Sequence, residues 1–175
     1  FLEEVPSNIV KRVLKNTDHE TRKLINQFLN YPEDSAGSIM TIEFVDLKKE
    51  MTVAKAIQHV RETGADKETI DNCYVIDNNR VLEGVISIRK LILSDSELPV
   101  KDIMQTDIKY VNTLDDHEKM ITLFKKYDLL TMPVVDNEHR LVGIVTIDDI
   151  VDIIDQENTE DFQKMAAIQP SEKEY

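Results

Sequence analysis

What this sequence lacks narrows it first. A single cysteine, Cys73, excludes an internal disulfide and any cysteine cluster for zinc or iron–sulfur. The chain therefore reads as intracellular, with Cys73 a small apolar residue buried in a strand. Four glycines, none clustered, leave no loop to cradle a phosphate. No run approaches the roughly 18 apolar residues of a membrane span, and the start, Phe1-Leu2-Glu3-Glu4, resembles neither a signal peptide nor an initiator. The sequence thus reads as a piece of a longer protein. Basic residues are scarce too: 21 against 34 acidic ones give a net charge of −13, which repels nucleic acid and anionic membrane surfaces and attracts cations. The four histidines (His19, His59, His117, His139) show no metal-protease spacing, and no nucleophile-and-base pairing stands out, so no enzyme is expected.

What is present is enough for a folded body. At 175 residues and 41% hydrophobic composition the chain can bury a real core and is not wholesale disordered. Residues 1–40 read as helical. Ser7 can cap a segment through Lys15; Thr17 with Glu20 is a capping-box pattern opening a second through Asn30, and Tyr31-Pro32 breaks the run before a short turn of helix up to Met40. Glu33 and Asp34 suit first-turn positions of that short helix, with a contribution to cation binding the lesser alternative. The lead-in is too short for a core of its own and must pack on something else.

From Met40 onward the chain repeats itself. Met40 matches Met104 and Ile57 matches Ile121 at an offset of 64 residues; Asp77 matches Asp136 and Gly84 matches Gly143 at 59. The first copy therefore carries five extra residues around Gly64–Glu68. Each copy opens with an extended piece (Glu43–Asp46; Ile108–Val111). An amphipathic helix follows, with Val53, Ile57 and Val60, or Met120, Ile121 and Phe124, facing inward. Two buried strands come next (Cys73–Ile76 and Leu82–Ser87; Met132–Val135 and Leu141–Thr146), joined by the polar turns 77–80 and 136–139. A closing helix starts straight after Ser87 and Thr146. The fold class is α/β, two β-α-β-β-α repeats with a helical N-terminal segment and a long acidic C-terminal helix. Neither copy covers its small sheet alone, so the two should pack together.

The C-terminal helix is chemically unusual. From Leu141 to Gln163 there is no lysine or arginine, while Asp148, Asp149, Asp152, Asp155, Glu157, Glu160 and Asp161 supply seven carboxylates. Asp148, Asp152 and Asp155 share one face, as do Glu157, Glu160 and Asp161, opposite apolar Ile147, Ile150, Val151 and Ile154. Like charges at these spacings cost roughly 0.2–0.5 kcal/mol per pair. Two readings fit: a solvated acidic face, or a site for magnesium, which takes oxygen ligands, keeps several waters and often uses one or two carboxylates.

The residues also carry a family resemblance. Gly84-Val85-Ile86-Ser87-Ile88-Arg89-Lys90 and Gly143-Ile144-Val145-Thr146-Ile147-Asp148-Asp149 resemble tandem CBS domains, named for cystathionine β-synthase, over about residues 40–155. The flanks, Tyr31 to Thr41 and the acidic helix continuing through Met165 to Tyr175, are similar to those in the cytosolic region of MgtE-type magnesium transporters. That resemblance implies four parts: 1–39, the end of a helical domain; 40–98 and 99–152, the CBS pair; and 153–175, a helix leading to a pore domain in the cell membrane. It implies a cytoplasmic magnesium sensor that favours the closed pore at high internal magnesium, working as a homodimer through its CBS domains. Positions matching the family's magnesium ligands are Asp149, Asp152, Glu157, Glu160 and Asp161 on the helix, with Asp116, Glu118 and Asp128 from the second copy. Asp116 and Glu118 equally suit a helix N-cap and a first-turn acid. The alternative is a module answering to ATP or AMP through Ser87, Arg89, Thr146 and Asp149, with the acids only solvated. Against it, Lys90 stands where the motif has an acid, and an ammonium cannot accept the ribose hydroxyl bonds.

Overall fold

A computed structural model describes residues 31–172, with the side chains of 160–162 and 167–172 outside the description. The helices expected before Tyr31 therefore lie outside the described residues, as do the side chains of Glu160 and Asp161. A short helix, α1 (Ala36–Ile39), leads into two units of the same design. The first comprises β1 (Val45–Leu47), α2 (Val53–Thr63), β2 (Asn72–Ile76), β3 (Leu82–Ser87) and α3 (Ile88–Leu93). The second comprises β4 (Val111–Asn112), α4 (His117–Tyr127), β5 (Thr131–Val135), β6 (Leu141–Thr146) and α5 (Ile147–Glu172). Each sheet has three strands in the order β1-β2-β3 and β4-β5-β6, the first parallel to the second and the second antiparallel to the third.

Local chemistry sets these elements. Thr52 caps α2 by accepting from the Lys55 N–H (3.2 Å), and Asp116 caps α4 by accepting from the Lys119 N–H (3.0 Å). α4 stops at Asp128, whose φ of 50° lies in the left-handed region. The two hairpin turns are built alike: Asp77 Oδ1 accepts from the N–H groups of Asn79 and Val81, and Asp136 Oδ1 from those of Glu138 and Arg140. Arg80 and His139 take the matching positive φ. The opening strands begin later than expected, at Val45 and Val111. A parallel edge strand extends only as far as its partner reaches, and the registers start at Val45↔Cys73 and Val111↔Val134. The insertion forms a 3₁₀ turn at Gly64–Asp66.

The core has three parts. One lies inside the first unit, around Val45, Leu47, Val53, Val75 and Leu91. A second lies inside the second unit, around Val111, Met120, Phe124, Met132 and Ile150. The third joins them: Phe44, Tyr74, Ile76, Leu82, Val135, Leu141 and Ile144. Main-chain bonds cross the same junction, with the Leu82 N–H donating to the His139 carbonyl (3.0 Å) and the Leu141 N–H to the Arg80 carbonyl (2.9 Å). Thr131 sits at its polar centre, taking a hydrogen bond from Asn72 Nδ2 (3.0 Å) and sharing one with the Tyr74 hydroxyl (2.6 Å). Neither unit thus hides its inner face without the other.

Cys73 is buried as expected, and burial pushes its thiol pKa up to about 12. Since the thiolate is the reacting species, the folded chain should consume almost no aromatic disulfide reagent at pH 8, and one equivalent after unfolding in urea. Rapid labelling of the folded chain would show that the first unit opens readily.

Candidate functional site

The acidic residues sort by where the antiparallel helices α4 and α5 bring them. The two helices meet at one end where the Ile147 N–H donates to the Leu130 carbonyl (2.9 Å), just beyond the end of α4. At the other end, the start of α4 faces the third turn of α5. There a cavity of about 280 Å³ is lined by Asp34, Asp116, His117, Glu118, Ile153, Gln156 and Glu157. Asp34 arrives because the backbone before α1 is pinned to α4: the His117 N–H donates to the Asp34 carbonyl (3.1 Å) and the Ala36 N–H to the Asp115 carbonyl (2.8 Å). Glu157 arrives because α5 buries Ile150 and Ile153 against the second unit, which turns Glu157 toward the start of α4.

Of the expected magnesium ligands, the structure brings Asp116, Glu118 and Glu157 together. Asp149, Asp152 and Asp128 do not line this cavity: Asp149 is half-buried in the first turn of α5, Asp152 is exposed one turn on, and Asp128 lies at the far end of α4, about 16 Å away by helical rise. Asp34 is a correction. It precedes the cap residue Ser35 instead of sitting in the first turn of α1, and its carboxylate faces the cavity. Val151 is another: it is exposed, and Ile153 takes its place on the buried stripe.

His117 was not legible as a site residue. Its Nδ1 stands 3.9 Å from Asp34 Oδ1 and 3.8 Å from Glu157 Oε1, and its buried Nε2 has no hydrogen-bond partner among the described residues. Only its sequence position between Asp116 and Glu118 could have drawn attention to it. Two carboxylates thus approach one half-buried imidazole in a cavity that two further acidic residues line, while nearby Lys119 is paired with Asp115 (2.9 Å). Among the described residues no three His, Cys, Asp or Glu side chains converge closely enough to ligate one ion directly. The donors nonetheless suit a hydrated hard cation, because magnesium retains waters and the cavity has room for several at about 30 Å³ each.

The expected nucleotide residues have local roles. Ser87 Oγ accepts from the Lys90 N–H (3.0 Å) and Thr146 Oγ1 from the Asp149 N–H (3.4 Å), capping α3 and α5. Arg89 is exposed. Thr146 lines a cleft of about 110 Å³ between the units with Thr131, Leu130 and Ile147, where Glu68, Asp71 and Asp148 supply three carboxylates and no basic side chain joins them. That lining disfavours a phosphate group.

Paired three-stranded units with a shared core and a helix leaving the second define the class: the CBS domain family matches residues 36–97 and 100–156, and the chain belongs to it as a tandem pair. Within that family the similarity is to magnesium transporters. The chain is 42% identical over 151 residues to the magnesium transporter MgtE of Thermus thermophilus, covering 86% of this chain and 34% of the transporter. The crystal structure of the soluble part of a magnesium transporter superposes with a TM-score of 0.74 at 38% identity, covering 82% of this chain and 56% of that one. The cytosolic domain of the Mg²⁺ channel MgtE in complex with ATP does so with a TM-score of 0.72 at 38% identity, covering 87% and 61%. The chain spans about a third of the length of the curated transporter it matches. Among the described residues no helix is long and apolar enough to cross a membrane.

Proposed function

We propose that the chain is the cytosolic magnesium-sensing region of a magnesium transporter or channel, in which bound Mg²⁺ favours the closed pore. The observation that carries this reading is the acidic cavity where Asp34, Asp116, Glu118 and Glu157 converge from three segments. Without a cation these carboxylates repel one another and push the start of α4, the lead-in and α5 apart. A hydrated divalent ion between them reverses the sign of that interaction and shifts the population toward the closed arrangement. Asp149, Asp152, Glu160, Asp161 and Asp128 would serve further ions nearer the partner subunit or the pore. In this reading 40–98 and 99–152 are the CBS pair of a homodimer, 1–39 ends a helical domain, and 153–175 runs to a membrane-embedded pore domain of the same polypeptide. ATP, present in one similar structure, supports a second reading in which an adenine nucleotide is the signal. The three carboxylates of the inter-unit cleft weigh against it.

Thermal unfolding against magnesium chloride, with sodium chloride at matched ionic strength, tests the proposal. At ten times the dissociation constant a ligand specific for the folded state adds about 1.4 kcal/mol. For a chain of this size that is a rise of about 3–6 °C in the midpoint. The Asp116→Asn, Glu157→Gln double variant should lose the excess over sodium. A midpoint that follows ionic strength alone, or one raised only by metal-free ATP, overturns the magnesium reading.

A further inference from the structure

The segment that precedes the first unit is built into the second. Between Tyr31 and Thr41, main-chain bonds run to second-unit residues: Asp34 carbonyl to the His117 N–H (3.1 Å), Ala36 N–H to the Asp115 carbonyl (2.8 Å) and Gly37 N–H to the Thr113 carbonyl (2.8 Å). Thr41 and Ile144 exchange both of their main-chain bonds, at 2.8 and 2.9 Å. Side chains follow the backbone. Ala36 and Met40 belong to the core of the second unit, with Tyr31 and Ile39 packed on it, and Met40 lies against Gly143. The same core holds Ile150 and Ile153 of α5, with Ile147 and Ile154 against it. The first unit keeps its own core, built from other residues.

The arrangement is reciprocal but unequal. The lead-in to the second unit is held by the first: Gln105 and Val85 exchange main-chain bonds at 2.8 and 2.9 Å, and Met104 lies against Gly84. That exchange ends in α3, a helix of six residues. The other ends in α5, a helix of 26 residues, and each helix starts directly after its strand. Displacement of the lead-in therefore reaches α5 through one strand, Leu141–Thr146, and one shared core, without passing through the unit that lies between them in sequence.

We propose that residues 31–41 are a strap that transmits movement from whatever precedes them to α5 through the second CBS unit, bypassing the first. Coupling of this kind needs a demonstrated shared element, here β6 with its core, and not mere proximity. The inference does not depend on magnesium, so it stands or falls separately from the proposed function. Hydrogen exchange on the whole metal-free chain tests it. Met40→Ala should speed exchange about tenfold or more across 141–154 and much less across 72–87, and Met104→Ala should do the reverse. Met40→Leu, which keeps the volume, should behave as wild type. If the alanine variants do not fold, Met40→Val and Met104→Val give the same contrast at smaller amplitude. Loosening of both units alike by Met40→Ala, or of the first unit more than the second, overturns the strap.

Discussion

Phe44→Ala should lower the unfolding free energy by about 3–5 kcal/mol, the range for removing a buried aromatic ring from a well-packed core. Phe44 is fully buried, stands edge-on to the Tyr74 ring at 6.0 Å and 89°, and belongs to the core that joins the two units, not to either unit's own. Its loss opens a cavity between the sheets, and the Tyr74–Thr131 hydrogen bond behind it cannot close the gap without breaking. For a domain stable by about 5–15 kcal/mol this is a large fraction of the total, and a fall of about 6–20 °C in the midpoint should follow. Urea unfolding, with Ile92→Ala as an exposed-residue control, measures it. Ile92 is 63% exposed, so its substitution should stay within about 0.5 kcal/mol of wild type. A cost below about 1 kcal/mol for Phe44→Ala would mean that the junction between the units is not a packed core in solution.

Gly143→Val should cost about 3 kcal/mol, the upper end of the usual range for overpacking, and more than Gly84→Val. The two glycines are equivalent by repeat but not by surroundings. The three atoms nearest to a Cβ on Gly84 all belong to the side chain of Met104, and the closest, the sulfur at 2.5 Å, can swing away. A Cβ on Gly143 would meet the Met40 sulfur at 2.7 Å and also the Thr41 carbonyl oxygen at 3.0 Å, which is fixed by its bond from the Ile144 N–H. Met40→Ala should therefore relieve Gly143→Val only in part, whereas Met104→Ala should relieve most of the smaller penalty at Gly84. Double-mutant cycles in urea read both couplings. Equal costs at the two glycines, or full relief at Gly143, would contradict the backbone contact.

Much of this is legible in the sequence alone. The repeat showed in the offsets of 64 and 59 residues, and the strands Leu82–Ser87 and Leu141–Thr146 fell where alternation and a polar turn placed them. The long acidic helix was legible because seven carboxylates and no lysine or arginine cover its first turns. The candidate site was only half legible. Glu157, Asp116 and Glu118 stand out as acids, but their meeting depends on α4 and α5 running antiparallel, and Asp149 and Asp152, equally prominent in sequence, end up away from that cavity. Asp34 looked like a helix-start residue and His117 like an unremarkable one. Both are placed by main-chain bonds between segments 80 residues apart, which no local pattern records.

The sequence by itself determined the fold class, the duplication and the charge, because each is written in short-range periodicity and composition, which survive without knowledge of any contact. Tertiary structure decided the rest: which acids share a cavity, that the cleft beside Thr146 is lined with carboxylates, and that the lead-in is bound to the second unit although it precedes the first. The physical reason is that these follow from how two sheets pack across a common core. A side chain such as Met40 takes its place there by fitting over a glycine about a hundred residues away, and shape complementarity at that separation leaves no trace in the order of residues along the chain.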